Sequence, residues 1–339
     1  MMIPLISICI PSYNRPKELQ RLLLSVDVSK VDSIEIIVCE DMSPDRLAIR
    51  EVCERFKKES AYKLRYFENF SNLGYDANLR ELISKAEGEY VMFMGDDDEF
   101  VEGALDKYIE FLLSHLDSGY ILRSYQNIYK NGSKEVFRYY PKDQSFIPGK
   151  ATYVELFDKS VFISGFCVKT KLARFYETNY LDGSLLYQLY LLAEICLSHP
   201  SSYCRIILTQ ARVGESIPYF GNSDAEKELY TPGAITTQNS INFLSKYFEV
   251  ISFIDKKNGI SSINDIRRNM SKYSYPAIAI QREGSLFEFF RYTKQLKKLG
   301  LNESWLFYLY VYSLVIFGKR NCDEIIRFLK RIYGKRPNL

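Results

Sequence analysis

Tyr90-Val91-Met92-Phe93-Met94-Gly95-Asp96-Asp97-Asp98-Glu99 is an apolar run that stops at a glycine and four consecutive acids. The run is short, partly aromatic and preceded by Gly88, which reads as a buried strand. Three aspartates at the end of such a strand repel one another. A bridging cation removes that repulsion, and hard divalent ions such as Mg²⁺ or Mn²⁺ prefer carboxylate oxygens. An ion held this way keeps open positions that substrate phosphates fill. A solvated acidic turn or the first turn of a helix would use the same residues, so the surrounding sequence decides between the two.

Upstream, residues 5–10 form a second buried-strand pattern, stopped by Pro11-Ser12-Tyr13-Asn14-Arg15-Pro16. Pro16 suits the first turn of a helix, and Leu19, Leu22, Leu23 and Val26 then recur at helical spacing. Ile34-Glu35-Ile36-Ile37-Val38-Cys39 is another strand, ending at Glu40-Asp41-Met42-Ser43-Pro44-Asp45, and a helix follows through Ile49, Val52, Cys53 and Phe56. Residues 64–67 make a short strand, 69–72 a loop and 75–86 a helix. Strand and helix alternate three times before Tyr90. That order predicts an α/β fold with a mostly parallel central sheet, right-handed crossovers and a ligand side at the strand carboxyl ends. Three polar clusters converge there: residues 11–15, 40–45 and 96–98. No glycine-rich dinucleotide fingerprint follows the first strand and no P-loop occurs, so a nucleotide would be held by side chains at the strand ends. Asp41 is placed to accept hydrogen bonds from a base or ribose; helix capping is its structural alternative.

Downstream, 102–116 reads as a helix, and 120–130 and 135–140 as strands joined by the Asn131-Gly132 hairpin signal. Residues 146–160 read as a loop and short helix, 163–168 as a strand, 185–197 as an apolar helix and 203–209 as the last strand. Arg212 follows within reach of a phosphate, with a solvated arginine as the alternative. Beyond about residue 225 helical periods dominate, over 234–253, 263–275, 286–299, 305–317 and 325–333. The expected division is residues 1–225 and a helical region over 226–339.

Composition narrows the class. The chain has 339 residues, 47% hydrophobic and 26% charged, and a net charge of +3 is too small to argue for nucleic acid. Seven cysteines without a C-x-x-C pair read as reduced buried thiols. His115 and His199 lie far apart, which disfavours a histidine metal site. No signal peptide is evident, and the longest apolar run, residues 305–317, falls short of the roughly 20 residues a spanning helix needs. A soluble or peripheral protein is expected.

Four of these segments resemble family 2 glycosyltransferases of the GT-A fold. I-S-I-C-I-P-S-Y-N-R resembles the family's opening strand and loop, I-E-I-I-V-C-E-D-M-S-P-D its I-I-V-V-D-D-G-S-T-D, N-L-G-Y-D-A-N its N-x-G segment, and A-E-G-E-Y-V-M-F-M-G-D-D-D its metal-binding D-x-D. The match covers about the first 115 residues well. The resemblance implies that Pro11, Tyr13 and Arg15 line a nucleotide pocket, that Asp41 contacts the base, and that Asn72 and Gly74 flank the nucleotide. It implies that Asp96 and Asp98 bracket ribose and metal (Mn²⁺ or Mg²⁺), with Asp97 nearby. Two departures stand out: Met42 replaces a usual glycine, and Gly95 stands where a first aspartate is common. The G-D-D-D form and the chain length resemble abequosyltransferase-like O-antigen enzymes within the family.

An acceptor hydroxyl must lose its proton, which calls for a carboxylate. The family places its acid just before a helix such as 185–197, which points to Asp182; an N-cap would use the same residue. Glu177 and Asp158 are second choices. The expected activity is transfer of a sugar from a nucleoside diphosphate donor to a lipid-linked surface glycan, O-antigen or capsule, at the cytoplasmic face of the membrane. Lys319, Arg320, Arg327, Lys330, Arg331, Lys335 and Arg336, with the aromatics of 305–312, predict peripheral membrane contact by the C-terminal region. A sugar-phosphate nucleotidylyltransferase is a rival reading, opposed by the missing glycine-rich basic loop. A non-catalytic glycan-binding or scaffold module is another, opposed by the intact aspartates.

Overall fold

The computed structural model describes residues 3–333. Met1, Met2, Lys335 and Arg336 lie outside the described residues, as do the side chains of Arg327, Lys330 and Arg331.

The first half alternates as its sequence predicts: β1 (Ile6–Ser12), α1 (Pro16–Leu24), β2 (Ile34–Glu40), α2 (Arg46–Glu59), β3 (Leu64–Glu68), α3 (Tyr75–Lys85) and β4 (Tyr90–Phe93). β5 (Glu99–Phe100), α4 (Ala104–Leu113), β6 (Tyr120–Tyr129), β7 (Lys134–Phe137), β8 (Gln144–Phe146), α5 (Lys150–Phe157), β9 (Phe166–Lys169), α6 (Thr170–Phe175), α7 (Tyr187–Ser198) and β10 (Ser201–Val213) follow. The rest is helical: α8 (Thr237–Asn258), α9 (Ile263–Lys272), α10 (Tyr275–Ala279), α11 (Leu286–Lys298) and α12 (Trp305–Tyr333).

The sheet runs β3-β2-β1-β4-β9-β6-β10-β5, with β7 beside β6 and β8 beside β10. β3, β2, β1 and β4 are mutually parallel, as are β6 and β10. β9 runs antiparallel between β4 and β6, so the sheet is mixed beyond β4. The register pairs Ser12 with Glu40 and Cys9 with Phe93. Chain direction and register together bring the ends of β1, β2 and β4 to one edge, where the three polar clusters start.

Strand alternation divides the core. Ile6, Ile8, Ile10, Tyr90 and Met92 face α1, α2 and α4. Cys9, Val91 and Phe93 face the other way, toward α3, α5 and α7. Leu244 and Ile251 of α8, Phe289 of α11 and Phe307 and Leu314 of α12 continue that second cluster, so the C-terminal helices share its apolar core. Tyr247 of α8 packs edge-on to Phe157 at 5.1 Å and donates a hydrogen bond to Asp158. Burial pushes the Asp158 carboxyl up to about 6. All seven cysteines are buried and free.

Candidate active site

β1 delivers Pro11 within the strand and Tyr13 and Arg15 just past its end. The backbone N–H of Tyr13 donates to Asp96 Oδ2 at 3.1 Å, and Arg15 Nη1 donates to Asp96 Oδ1 at 2.8 Å. Arg15 also lies 3.5 Å from Asp97 Oδ2. Asp96 is thus tied to the opening loop by both oxygens. Its carboxyl is nevertheless pushed up to about 6, because burial outweighs Arg15. Asp98 is pushed up further, to about 8, by burial first and by the neighbouring Asp97 second. Burial thus disfavours the charged forms of both Asp96 and Asp98.

Gly95 sets their spacing. A Cβ there would stand 3.2 Å from Ser164 Oγ and 3.3 Å from both Asp97 Oδ1 and Asp98 Oδ2. The glycine leaves a cradle bordered by two carboxylate oxygens and a hydroxyl, and any side chain would crowd it. Hard oxygen donors around an open space fit Mn²⁺ or Mg²⁺. Among the described residues no three acidic, histidine or cysteine side chains surround one point. An ion at this cradle would therefore depend on one or two carboxylates and on ligands brought by the substrate.

Four contributors carry no sequence signal as strong as the aspartates. Ser164, in the turn before β9, donates to Asp98 Oδ2 and accepts from the Gly95 N–H at 2.9 Å. That turn also explains why β9 begins at Phe166 instead of residue 163: Phe166 N–H closes it onto Ile163 O at 2.8 Å. Arg123 of β6, fully buried, donates to Ser164 O at 2.9 Å and Phe162 O at 2.7 Å. It pins the turn without touching the acids. The segment after β10 folds over the edge: Ser216 Oγ donates to Asp97 Oδ2 at 2.5 Å and Ile217 O accepts from Arg15 at 2.6 Å. Tyr219 stands 5.8 Å from Tyr13 and 5.1 Å beneath the Arg15 guanidinium. The sequence reads residues 163–168 as strand, so the Ser164 turn is a correction, and Ser216 and Tyr219 give no signal at all. Arg212, half-buried, pairs with Glu99, which Arg21 also meets at 2.6 Å.

Because Ser164 orients Asp98, Ser164→Ala is expected to weaken Mn²⁺-dependent nucleotide binding about 10–100-fold while the fold persists, the usual cost of losing an outer partner of a metal ligand. Titration calorimetry with Mn²⁺ checks this.

At the end of β2, Asp41 faces the loop after β3. It accepts from Asn69 Nδ2 and Leu73 N–H at 2.8 Å and from Gly74 N–H at 2.9 Å. Asn72 Oδ1 shares the Gly74 N–H at 3.1 Å. Gly74 has φ +82°, and a Cβ there would strike Ser223 Oγ at 2.4 Å and Glu226 Oε1 at 2.8 Å, so only glycine fits. Met42 occupies the left-handed region at φ 55°, which a glycine would adopt without strain. Burial raises the Asp41 carboxyl to about 6 against its three hydrogen bonds. Below that pH the protonated carboxyl loses acceptor capacity for the 73–74 amides. Nucleotide affinity is expected to fall about tenfold per unit as pH drops below about 6, and Asp41→Asn to flatten that slope. A binding isotherm series across pH 5–7 measures it.

Asp182 lies before α7 and grips Arg80 of α3 through both oxygens, with Arg80 Nη2 to Oδ2 at 2.8 Å. Its nearest partners are therefore on α3, and it makes no contact with the β4 acids. Glu177 lies 3.9 Å from the same arginine. Asp76 of α3 caps the start of α7, accepting from Leu185 and Tyr187 N–H at 2.9 Å, and so carries the N-terminal capping role that Asp182 was read as able to fill.

Residues 7–170 match the profile of glycosyl transferase family 2. The chain carries a domain of that family, in the GT-A fold. Over 114 residues it is 31% identical to abequosyltransferase RfbV of Salmonella typhimurium, covering 34% of this chain and 33% of that protein. Over 108 residues it is 31% identical to the GalNAc(5)-diNAcBac-PP-undecaprenol beta-1,3-glucosyltransferase of Campylobacter jejuni, covering 32% and 34%. These alignments span about a third of the relatives' length. In fold, S. aureus TarS 1–349 in complex with UDP superimposes with TM-score 0.58 at 15% identity, covering 95% of this chain and 91% of that one.

Proposed function

We propose that this protein is a metal-dependent glycosyltransferase that moves a sugar from a nucleoside diphosphate to a lipid-linked surface glycan. The observation that carries the reading is the meeting of three strand ends: Tyr13 and Arg15 of the first cluster bind Asp96 of the third, while Asp41 of the second holds the Asn72–Gly74 wall. The UDP and UDP-GlcNAc complexes of TarS support a nucleotide-sugar donor, and the undecaprenyl diphosphate in the Campylobacter relative's name supports a lipid-linked acceptor.

In this reading Tyr13, Asn72 and Gly74 flank the nucleoside and Asp41 keeps their loop in place. Asp96, held by Arg15, faces the ribose side, and Asp98, oriented by Ser164, would hold the ion together with Asp96, with Asp97 nearby. The bound ion would supply positive charge against the leaving diphosphate. Asp182 accepts the acceptor hydroxyl's proton, its carboxylate kept in one orientation by Arg80. The 214–221 segment, joined to Arg15 and Asp97, excludes water from the donor. Residues 1–225 form the transferase unit and 226–339 a helical unit built onto it.

Calorimetric titration with UDP, GDP, CDP and dTDP, in Mn²⁺ and in chelator, tests the reading. Binding of one nucleotide that chelator abolishes is the expected result. Folded protein that binds none of them would leave a non-catalytic module.

A further inference from the structure

The outer surface of α11 and α12 has an unusual composition for a helix pair packed on a domain. Phe307, Val311 and Leu314 of α12 point into the core. On the opposite side, Trp305, Leu309, Tyr312 and Ile316 follow one another at steps of four, three and four residues, which places them in a single stripe. Their exposures are 71%, 46%, 61% and 70%. A surface helix ordinarily turns a polar face to water; this one is apolar on both faces. On α11, Phe287 and Phe290 are exposed, and Arg291, Lys294 and Lys298 continue the outward face. Lys297 of α11 lies 4.8 Å from the Tyr308 ring, so the two helices are neighbours. The apolar half of α12 ends at Gly318, whose φ of 73° breaks the helix.

Charge separates the two occupants such a face could have. Residues 286–318 hold four Lys and Arg (Arg291, Lys294, Lys297 and Lys298) against Glu288 and Glu303, and the sequence after Gly318 holds a further seven basic residues against two acidic ones. Arg291, Lys294 and Lys298 form no ion pair with any described residue. A second copy seated on this face would oppose basic side chains to basic side chains. An anionic bilayer would accept the aromatic and aliphatic side chains at its acyl boundary and the lysines and arginines among its headgroups. No described helix is long and apolar enough to cross a membrane, so the contact lies in the plane of the surface.

We propose that the outer face of α11 and of α12 up to Gly318 docks on an anionic lipid bilayer, with Trp305, Leu309, Tyr312, Ile316 and Phe287 at the acyl boundary. The proposal rests on this surface alone and stands whether or not the transferase reading holds. Trp305 is the single tryptophan of the chain, so its fluorescence reports the contact directly. With the full chain, vesicles of phosphatidylcholine plus phosphatidylglycerol are expected to shift Trp305 emission to the blue and to float the protein. Lys294→Glu with Lys298→Glu should weaken that binding at least tenfold, about 1 kcal/mol being associated with each basic residue at an anionic surface. Leu309→Ser with Ile316→Ser should remove it, while melting temperature and nucleotide binding stay as in the wild type. No shift and no flotation by folded wild-type protein overturns the proposal. So does equal binding to pure phosphatidylcholine that ignores the charge reversals, or a blue shift that grows with protein concentration without vesicles, which would assign the face to a second copy.

Discussion

Asp98→Asn is expected to lower turnover by about 10²–10³-fold, the scale of losing a preorganised electrostatic group at a developing charge. It should abolish the Mn²⁺-dependent part of nucleotide binding. The substitution keeps volume and shape, and the amide oxygen can still accept from Ser164, so the turn before β9 should hold. The folded state gains from the change: Asp98 is buried beside Asp97, and both facts push its carboxyl up to about 8. An uncharged amide removes that conflict, so the melting temperature should stay level or rise. This combination distinguishes function from structure, because a merely structural residue would lose stability and activity together. The measurement is thermal unfolding with and without Mn²⁺ and UDP, alongside steady-state transfer. A variant that binds Mn²⁺-UDP as the wild type does would remove Asp98 from the metal site.

The tension at Asp98 also explains why this edge was legible in the sequence. An apolar strand ending in consecutive carboxylates violates the rule that like charges avoid one another in a buried place, and such violations concentrate at sites. The parallel half of the sheet was equally readable, because each β–α repeat closes locally and its polar stop lies at the strand end. What the sequence hid was long-range. Ser164 meets Asp98 across 66 positions and Ser216 meets Asp97 across 119, and single serines give no pattern. The antiparallel insertion of β9 beside β4 was hidden for the same reason: its neighbour is chosen by packing between Val91 and Val168, not by local propensity. Met42 shows the reverse case. Its departure from the family's glycine was noted on sequence, and the left-handed φ of 55° supplies the physical reason a glycine suits that turn.

Asp182→Asn is expected to reduce kcat by about 10²–10⁴-fold with nucleotide affinity unchanged, the range for removing a general base. The expectation follows from its place. Asp182 is partly exposed, with 29% of its side chain open, while Arg80 is at 14%. The arginine grips both oxygens and fixes the carboxylate plane, leaving the outward lone pairs available. Because Arg80 lies on α3, whose first residues form the Gly74 wall, the base would be positioned by the helix that borders the donor. Capping of α7 does not require Asp182, since Asp76 already takes the Leu185 and Tyr187 amides. The pair is partly buried, and the substituted amide can still accept from Arg80, so the melting temperature should fall by no more than a few degrees. Rescue supplies the decisive readout: Asp182→Glu, which keeps a carboxylate, should recover part of the lost kcat, and Asp182→Asn should not. If kcat instead falls only a few-fold and Asp182→Glu recovers nothing, Asp182 serves Arg80 alone. The proton then goes to another carboxylate, and Glu177, largely exposed and 3.9 Å from the same arginine, is the next choice.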